Sequence, residues 1–527
     1  MPLPAKSVAL IGCGPAGAIT IDALVREGVF EKIRVFERRE KPGGCWLVLT
    51  VSSPLPDPKG HVQQLPDFSK LANRTADEPL AIPDTLPAST PRCQQYRFSD
   101  TSIYPMLETN IAAVAMQYSE EPIPDTRSDW SVQRHGPDTP FRHHAVIHQW
   151  LTDLVNRKGY QDLVEYDTTV ERVRKIGEQW EVILRKPAND QEDYWWKEEF
   201  DAVIDASGHY SVPYIPPTPG LADFAKAYPG SVEHTKSFRE AEKYRGKRVV
   251  TVGASISGPD VAAVLAGITA SPLHCVTRGK YHPYFGDWAF RNPHIIRHGA
   301  ITHIDTPTRT VHFADGTCVS GVDHIIFGTG YSWTQHFLPE LKLRNNRLPG
   351  LYQHVFYRDD PSLLFVGAVA AGFTFKVFEW QAVLAARYLA GRVQLPPLAV
   401  QEQWERDRIE EKGDGVPFTA LYPHFEEYFE EIRLLAGDPP PPPEGAGTGA
   451  SARRLPVFDK SWRDQFDAAH LKRIAMWQNL NAAAEKDLAE QSSSRHVAAL
   501  TIDASRQKAE SIARLVGKQP ESGLYFL

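Results

Sequence analysis

Ser7-Val-Ala-Leu-Ile-Gly12-Cys-Gly14-Pro-Ala-Gly17 decides the fold. A short β-prone run meets a turn of three glycines, and the stretch through Arg26 has helical character. Ile33–Phe36 then reads as a second strand ending at Glu37, 20 residues beyond Gly17. Strand, glycine turn, helix and strand in this order open a doubly wound sheet that binds a dinucleotide. The first glycine makes the tight turn, the second admits a pyrophosphate, and the third lets helix and sheet touch. Glu37 is placed to accept hydrogen bonds from both hydroxyls of a ribose that lacks a 2′-phosphate, which suits FAD. Gly43-Gly44-Cys45-Trp46 follows, where Gly44 lets the chain pass close to a flat ligand and Trp46 covers its edge.

The pattern begins again 241 residues after Gly12, with the strand Arg248–Val252 and Gly253-Ala-Ser255-Ile-Ser257-Gly258. The strand after its helix ends in Thr277-Arg278-Gly-Lys280, with no acid at the ribose position. A cation there pairs with a 2′-phosphate that a carboxylate would repel, so Arg278 and Lys280 point to NADPH. Ser255 and Ser257 offer hydroxyls to cap amides near the pyrophosphate. Each half of the chain also carries a β-meander and a strand running into a glycine, Gly208 in the first and Gly330 in the second. Val170, at the start of the first meander, is placed among the first cofactor's contacts.

The surrounding composition narrows the class. Of 527 residues, 42% are hydrophobic, enough for buried cores, and the net charge of −7 argues against a general nucleic-acid binder. The five cysteines form no CxxC pair, which excludes a metal cluster, a disulfide framework and a flavin disulfide reductase. No apolar stretch reaches membrane-spanning length and no signal peptide is evident, so a cytoplasmic protein without integral membrane contact is expected. A homodimer is the oligomeric state expected by default.

Tyr228-Pro-Gly230-Ser-Val-Glu-His234-Thr-Lys-Ser-Phe238 precedes the second glycine turn. It resembles the aromatic-x-Gly-x3-His-x3-aromatic fingerprint of the flavin-containing monooxygenases, class B flavoprotein monooxygenases. Tyr228 stands where phenylalanine is usual, and Phe238 where tyrosine or tryptophan is usual. Tyr104-Pro-Met-Leu107-Glu-Thr109-Asn110 resembles the family segment ending in Leu-x-Thr-Asn. Phe141-Arg-His143-His144, Phe327-Gly-Thr-Gly330-Tyr331 and Phe378-Glu379-Trp-Gln381-Ala382 are further matches, and the similarity runs from about Ser7 to Gly437.

The resemblance implies an α/β fold of two Rossmann-like domains, an NADPH domain at 214–322 inserted in an FAD domain at 1–213 and 323–437. A Pro/Gly linker and a helical extension follow at 438–527. It implies that NADPH reduces FAD and that O2 adds to give a C4a-(hydro)peroxyflavin while NADP+ stays bound. The oxygen then passes to a soft nitrogen or sulfur of a small amine or sulfide. Asn110, Thr109 and His234 are the catalytic candidates it implies, Asn110 near the flavin C4a edge, with Gln381 in support of the cofactor. Baeyer–Villiger oxygenation of a ketone is the nearest alternative, disfavoured because no Asn-x-Tyr-Pro-Gly-x-x-Cys-Asp run follows Trp46. A non-catalytic redox sensor binding FAD and NADP(H) is the other.

Overall fold

The computed structural model describes residues 4–47, 66–95, 97–370, 372–439 and 451–516. Ser7–Ile11 is an inner strand of a seven-stranded sheet, paired in parallel with Lys32–Phe36 on one side and with the central strand Ala202–Asp205 on the other. Both faces of this strand are apolar because both are covered. Val8 and Leu10 pack under the Pro15–Glu27 and Thr374–Leu389 helices, whereas Ala9 and Ile11 face the antiparallel sheet of Thr169–Ile176, Gln179–Pro187 and Glu192–Phe200. Fully burying a valine, leucine or isoleucine stabilises by about 1.5–3 kcal/mol, so this double-sided strand anchors the domain. The Pro15–Glu27 helix starts on Gly14 with proline in its first turn, and it stops at Gly28 in the left-handed conformation.

The second domain is a five-stranded, all-parallel sheet in the order Val232–His234, His324–Phe327, Val249–Val252, Leu273–Val276, Ile295–His298. The meander Ile301–Asp305, Thr310–Phe313 and Cys318–Val319 packs on one face, sharing a core with Val250, Val252, Ile325 and Phe327. The chain leaves the first domain through Val212–Pro213 and returns through Tyr331–Ser332, and these two segments pair antiparallel. The return crossing falls later than the expected 322/323 boundary. The reason is pairing: His324–Phe327 hydrogen-bonds to Val249–Val252 and so belongs to the inserted sheet.

The acid-rich stretch after Gln401 is only partly solvated. Phe425–Ala436 buries Phe425, Tyr428, Phe429 and Ile432 against the first domain's core. Most of the linker expected after Asp438, residues 440–450, lies outside the described residues. The expected C-terminal helix runs from Lys460 to Val516. Among the described residues no helix is long and apolar enough to cross a membrane.

Candidate functional site: two glycine turns and the cleft between them

The first turn is built by contact. A Cβ on Gly17 would stand 2.0 Å from the carbonyl oxygen of Gly12, and one on Gly12 would stand 2.8 Å from that of Ala206. Only hydrogen fits at either position, so helix, turn and neighbouring strand close on one another. The Gly43–Gly44 loop lies directly on this turn, since a Cβ on Gly44 would come within 2.8 Å of the Gly14 Cα. Glu37 is buried at the end of its strand, where its Oε2 accepts from the Cys13 N–H at 2.7 Å and Oε1 from the Arg39 N–H at 2.9 Å. Each carboxylate oxygen keeps a lone pair for a further donor, as a ribose requires. Trp46 sits edge-on to Phe375, with ring centroids 5.9 Å apart.

The second turn repeats the construction. A Cβ on Gly258 would lie 2.1 Å from the Gly253 carbonyl oxygen, and one on Gly253 would lie 2.2 Å from that of Gly328. Arg278 follows the next strand in a left-handed turn (φ 51°), and both Arg278 and Lys280 are exposed. Ser255 and Ser257 do not cap the helix as expected. The cap position falls between them on Ile256, and no side-chain cap bond forms.

Asn110 lies on a segment bonded to both domains. Its neighbours are fixed: Thr109 Oγ1 donates to the Ile111 carbonyl at 2.9 Å, and the Arg142 N–H donates to Thr109 Oγ1 at 3.1 Å. Thr109 is therefore a brace, its hydroxyl consumed internally, beside a partly exposed Asn110. Six residues earlier, Tyr104 donates to Asp260 Oδ2 at 2.8 Å and meets Phe238 of the fingerprint edge-on. The segment that carries Asn110 is thus tied to the helix of the second turn.

His234 cannot serve as an acid at neutral pH. Burial pushes its pKa down to about 3, and its Nδ1 accepts from the Lys236 N–H at 3.1 Å. It lies edge-on to Tyr331 and braces the crossing between domains. Gln381 is also structural: the Gly367 N–H donates to its Oε1 at 2.8 Å, and its Nε2 donates to the Tyr428 hydroxyl at 2.8 Å. Val170 faces the core, and its carbonyl accepts from His336 Nε2 at 3.2 Å. Gly208 and Gly330, both past strand ends, would present a Cβ to open space.

Several residues of the cleft escaped the sequence reading. Arg38 and Arg39 are half-buried and donate to main-chain carbonyls of Arg97 and Ser99, at 3.0 Å each. From the fingerprint side, Lys236 Nζ donates to the carbonyls of Phe98 (2.9 Å) and Ser211 (2.6 Å), and Arg239 to that of Thr101 (3.0 Å). Burial pulls the Lys236 amine down to about 8. Four cations therefore fasten residues 97–101 to the two domains, and Lys236 also pairs with Asp100 at 3.2 Å. Tyr210 is 47% exposed, yet the enclosing walls push its phenol up to about 12.

Residues 95–282 and 294–437 match the flavin-binding monooxygenase-like family. The chain is 27% identical over 466 residues to a flavin-containing monooxygenase of Aspergillus flavus, covering 81% of this chain and 90% of the relative. It is 30% identical over 307 residues to a trimethylamine monooxygenase of Methylocella silvestris, covering 56% of this chain and 65% of the relative. Its fold is similar to that of the S-allyl-L-cysteine S-oxygenase of Allium sativum, with a TM-score of 0.66 at 22% identity, over 93% of this chain and all of that one. The chain belongs to the flavin-binding monooxygenase-like family, and it is an enzyme of that class: a flavin-dependent monooxygenase.

Proposed function

We propose that the chain is an FAD- and NADPH-dependent monooxygenase that oxygenates a soft nitrogen or sulfur of a small amine or sulfide. The observation that carries the reading is the opposed chemistry of two matching turns: Glu37 beside one, Arg278 and Lys280 beside the other. The named activities of two relatives, on trimethylamine and on S-allyl-L-cysteine, support nitrogen or sulfur as the atom oxidised. Gly12, Gly14, Gly17, Gly44 and Glu37 would hold FAD, and Gly253, Gly258, Arg278 and Lys280 would hold NADPH.

When bound, the flavin supplies reduction by the nicotinamide and activation of O2. The protein's own part is positional. Asn110 would hold the nicotinamide amide beside the flavin edge, while Thr109 keeps its backbone fixed. The helix starts behind the two glycine turns would face the diphosphates, and the close-packed turns would exclude water from the reacting edge. No side chain is required as a nucleophile, which agrees with the neutral His234. The cytoplasm, where NADPH is plentiful and the five cysteines remain reduced, is the compartment this chemistry suits.

The test is direct. Purified protein should release FAD on denaturation, and anaerobic NADPH should bleach its flavin absorbance faster than NADH at equal concentration. A folded preparation that binds no FAD would remove the proposal.

A further inference from the structure

Residues 451–516 lie beyond the matched family segment, yet the helix Lys460–Val516 is seated on both domains. On the first, Phe466 stacks on Phe373 at 4.8 Å. On the second, His470 meets Tyr284 at 4.3 Å, Trp477 meets Phe285 at 5.2 Å, and Asn481 donates to the Trp288 carbonyl at 3.0 Å. The spacing 466, 470, 473, 477, 481 is one helical face. At its centre Arg473, 3% exposed, pairs with Asp260. Asp260 lies in the first turn of the Ser257–Leu265 helix, which follows directly on the second glycine turn. The same carboxylate accepts from Tyr104 on the Asn110 segment.

An unpaired carboxylate at that helix start would repel a diphosphate and offset the attraction of the helix N-terminus. We infer that Arg473 is a positioning residue for the bound nicotinamide dinucleotide. Its guanidinium cancels the Asp260 charge and locks the Tyr104–Asp260 bond, so that the C-terminal helix clamps the two domains around the retained NADP+. The inference rests on the reading of the second turn as an NADP(H) site. It adds a residue, and a segment, outside the matched family region.

NADP+ itself is the probe, titrated into the flavin-loaded protein and followed by calorimetry. Arg473→Ala should weaken NADP+ binding about tenfold, the equivalent of one charge-assisted contact. Asp260→Asn on that background should restore most of the loss, because it removes the exposed charge and keeps an acceptor for Tyr104. Asp260→Asn alone, which leaves the fold's apolar contacts intact, should bind NADP+ at least as tightly as wild type. Peroxide released per NADPH should rise in Arg473→Ala and return toward wild type in the double variant. Unchanged affinity in Arg473→Ala, or no recovery in the double variant, overturns the clamp while leaving the function standing. A flavin-loaded wild type that binds no NADP+ overturns both.

Discussion

The two glycine turns are nearly the same object in backbone and opposite in side chain. In each, the last glycine touches the carbonyl of the first, at 2.0 and 2.1 Å to a hypothetical Cβ, and the first touches the carbonyl just past the neighbouring strand of its sheet. The difference begins one strand later. Glu37 is buried and fixed by two backbone N–H groups, while Arg278 and Lys280 are exposed. On the proposed function, the glycines serve a diphosphate, and the residue after the following strand selects which dinucleotide. A buried, pre-fixed carboxylate suits a cofactor that stays, and exposed cations suit one that exchanges.

The largest expected effect comes from filling these contacts separately. Gly17→Ala forces a methyl into the Gly12 carbonyl and should yield protein without flavin, or no folded protein, since such overpacking costs about 1–3 kcal/mol or more. Gly258→Ala should retain flavin and lose reduction by NADPH. Absorbance spectra of both proteins, with and without NADPH, distinguish the cases. If Gly258→Ala strips the flavin equally, the two turns are not separable units.

A smaller effect is expected at the discriminating cations. Replacing Arg278 and Lys280 together by alanine should lower NADPH affinity about 10- to 100-fold, with NADH nearly unchanged. Flavin-reduction rates against each nucleotide give the ratio directly. An unchanged NADPH-over-NADH preference would mean that neither side chain reads the phosphate.

Asn110→Ala tests the space between the turns. Flavin content should hold, while the fraction of NADPH consumed that ends as hydrogen peroxide rises several-fold, as expected when a positioning contact of about 1 kcal/mol is lost. Peroxide and product assayed in one reaction settle it; unchanged coupling removes Asn110 from the mechanism.

A separate effect, on stability and not on catalysis, concerns acid. His234 has a pKa of about 3 when folded, against about 6.5 unfolded, so on acidification the unfolded chain takes up the proton first. The full stability is present above pH ~6.5 and is lost as pH falls toward ~3, by up to ~1.4 kcal/mol per pH unit for this group. His234→Asn should flatten that slope in urea unfolding series between pH 7 and pH 4. An identical slope would show that the histidine is already exposed to water.

Both turns were legible because hydrophobic runs and glycine spacing are local signals. The order of strands, glycines and Glu37 needed no distant information. Arg38, Arg39 and Lys236 were not legible, because their partners are main-chain carbonyls of residues 97–101 and 211, and no residue type encodes such a bond. The same holds for Arg473 and Asp260, which are 213 residues apart. His234 and Gln381 stood out by motif, yet only their surroundings show a neutral imidazole and a fully engaged amide. The return crossing was misplaced because His324–Phe327 has the same apolar pattern whichever sheet it joins. Only the pairing with Val249–Val252 decides.

The central claim, that this chain moves one oxygen atom from O2 to a soft heteroatom at the expense of NADPH, is tested most directly with isotopically heavy O2. Purified enzyme, NADPH and a panel of small tertiary amines and thioethers would be incubated under the labelled gas, and products weighed by mass spectrometry. The account predicts an N-oxide or S-oxide carrying one heavy oxygen, formed only with NADPH present. Products labelled from water, or NADPH consumption that yields peroxide alone across the panel, would contradict it.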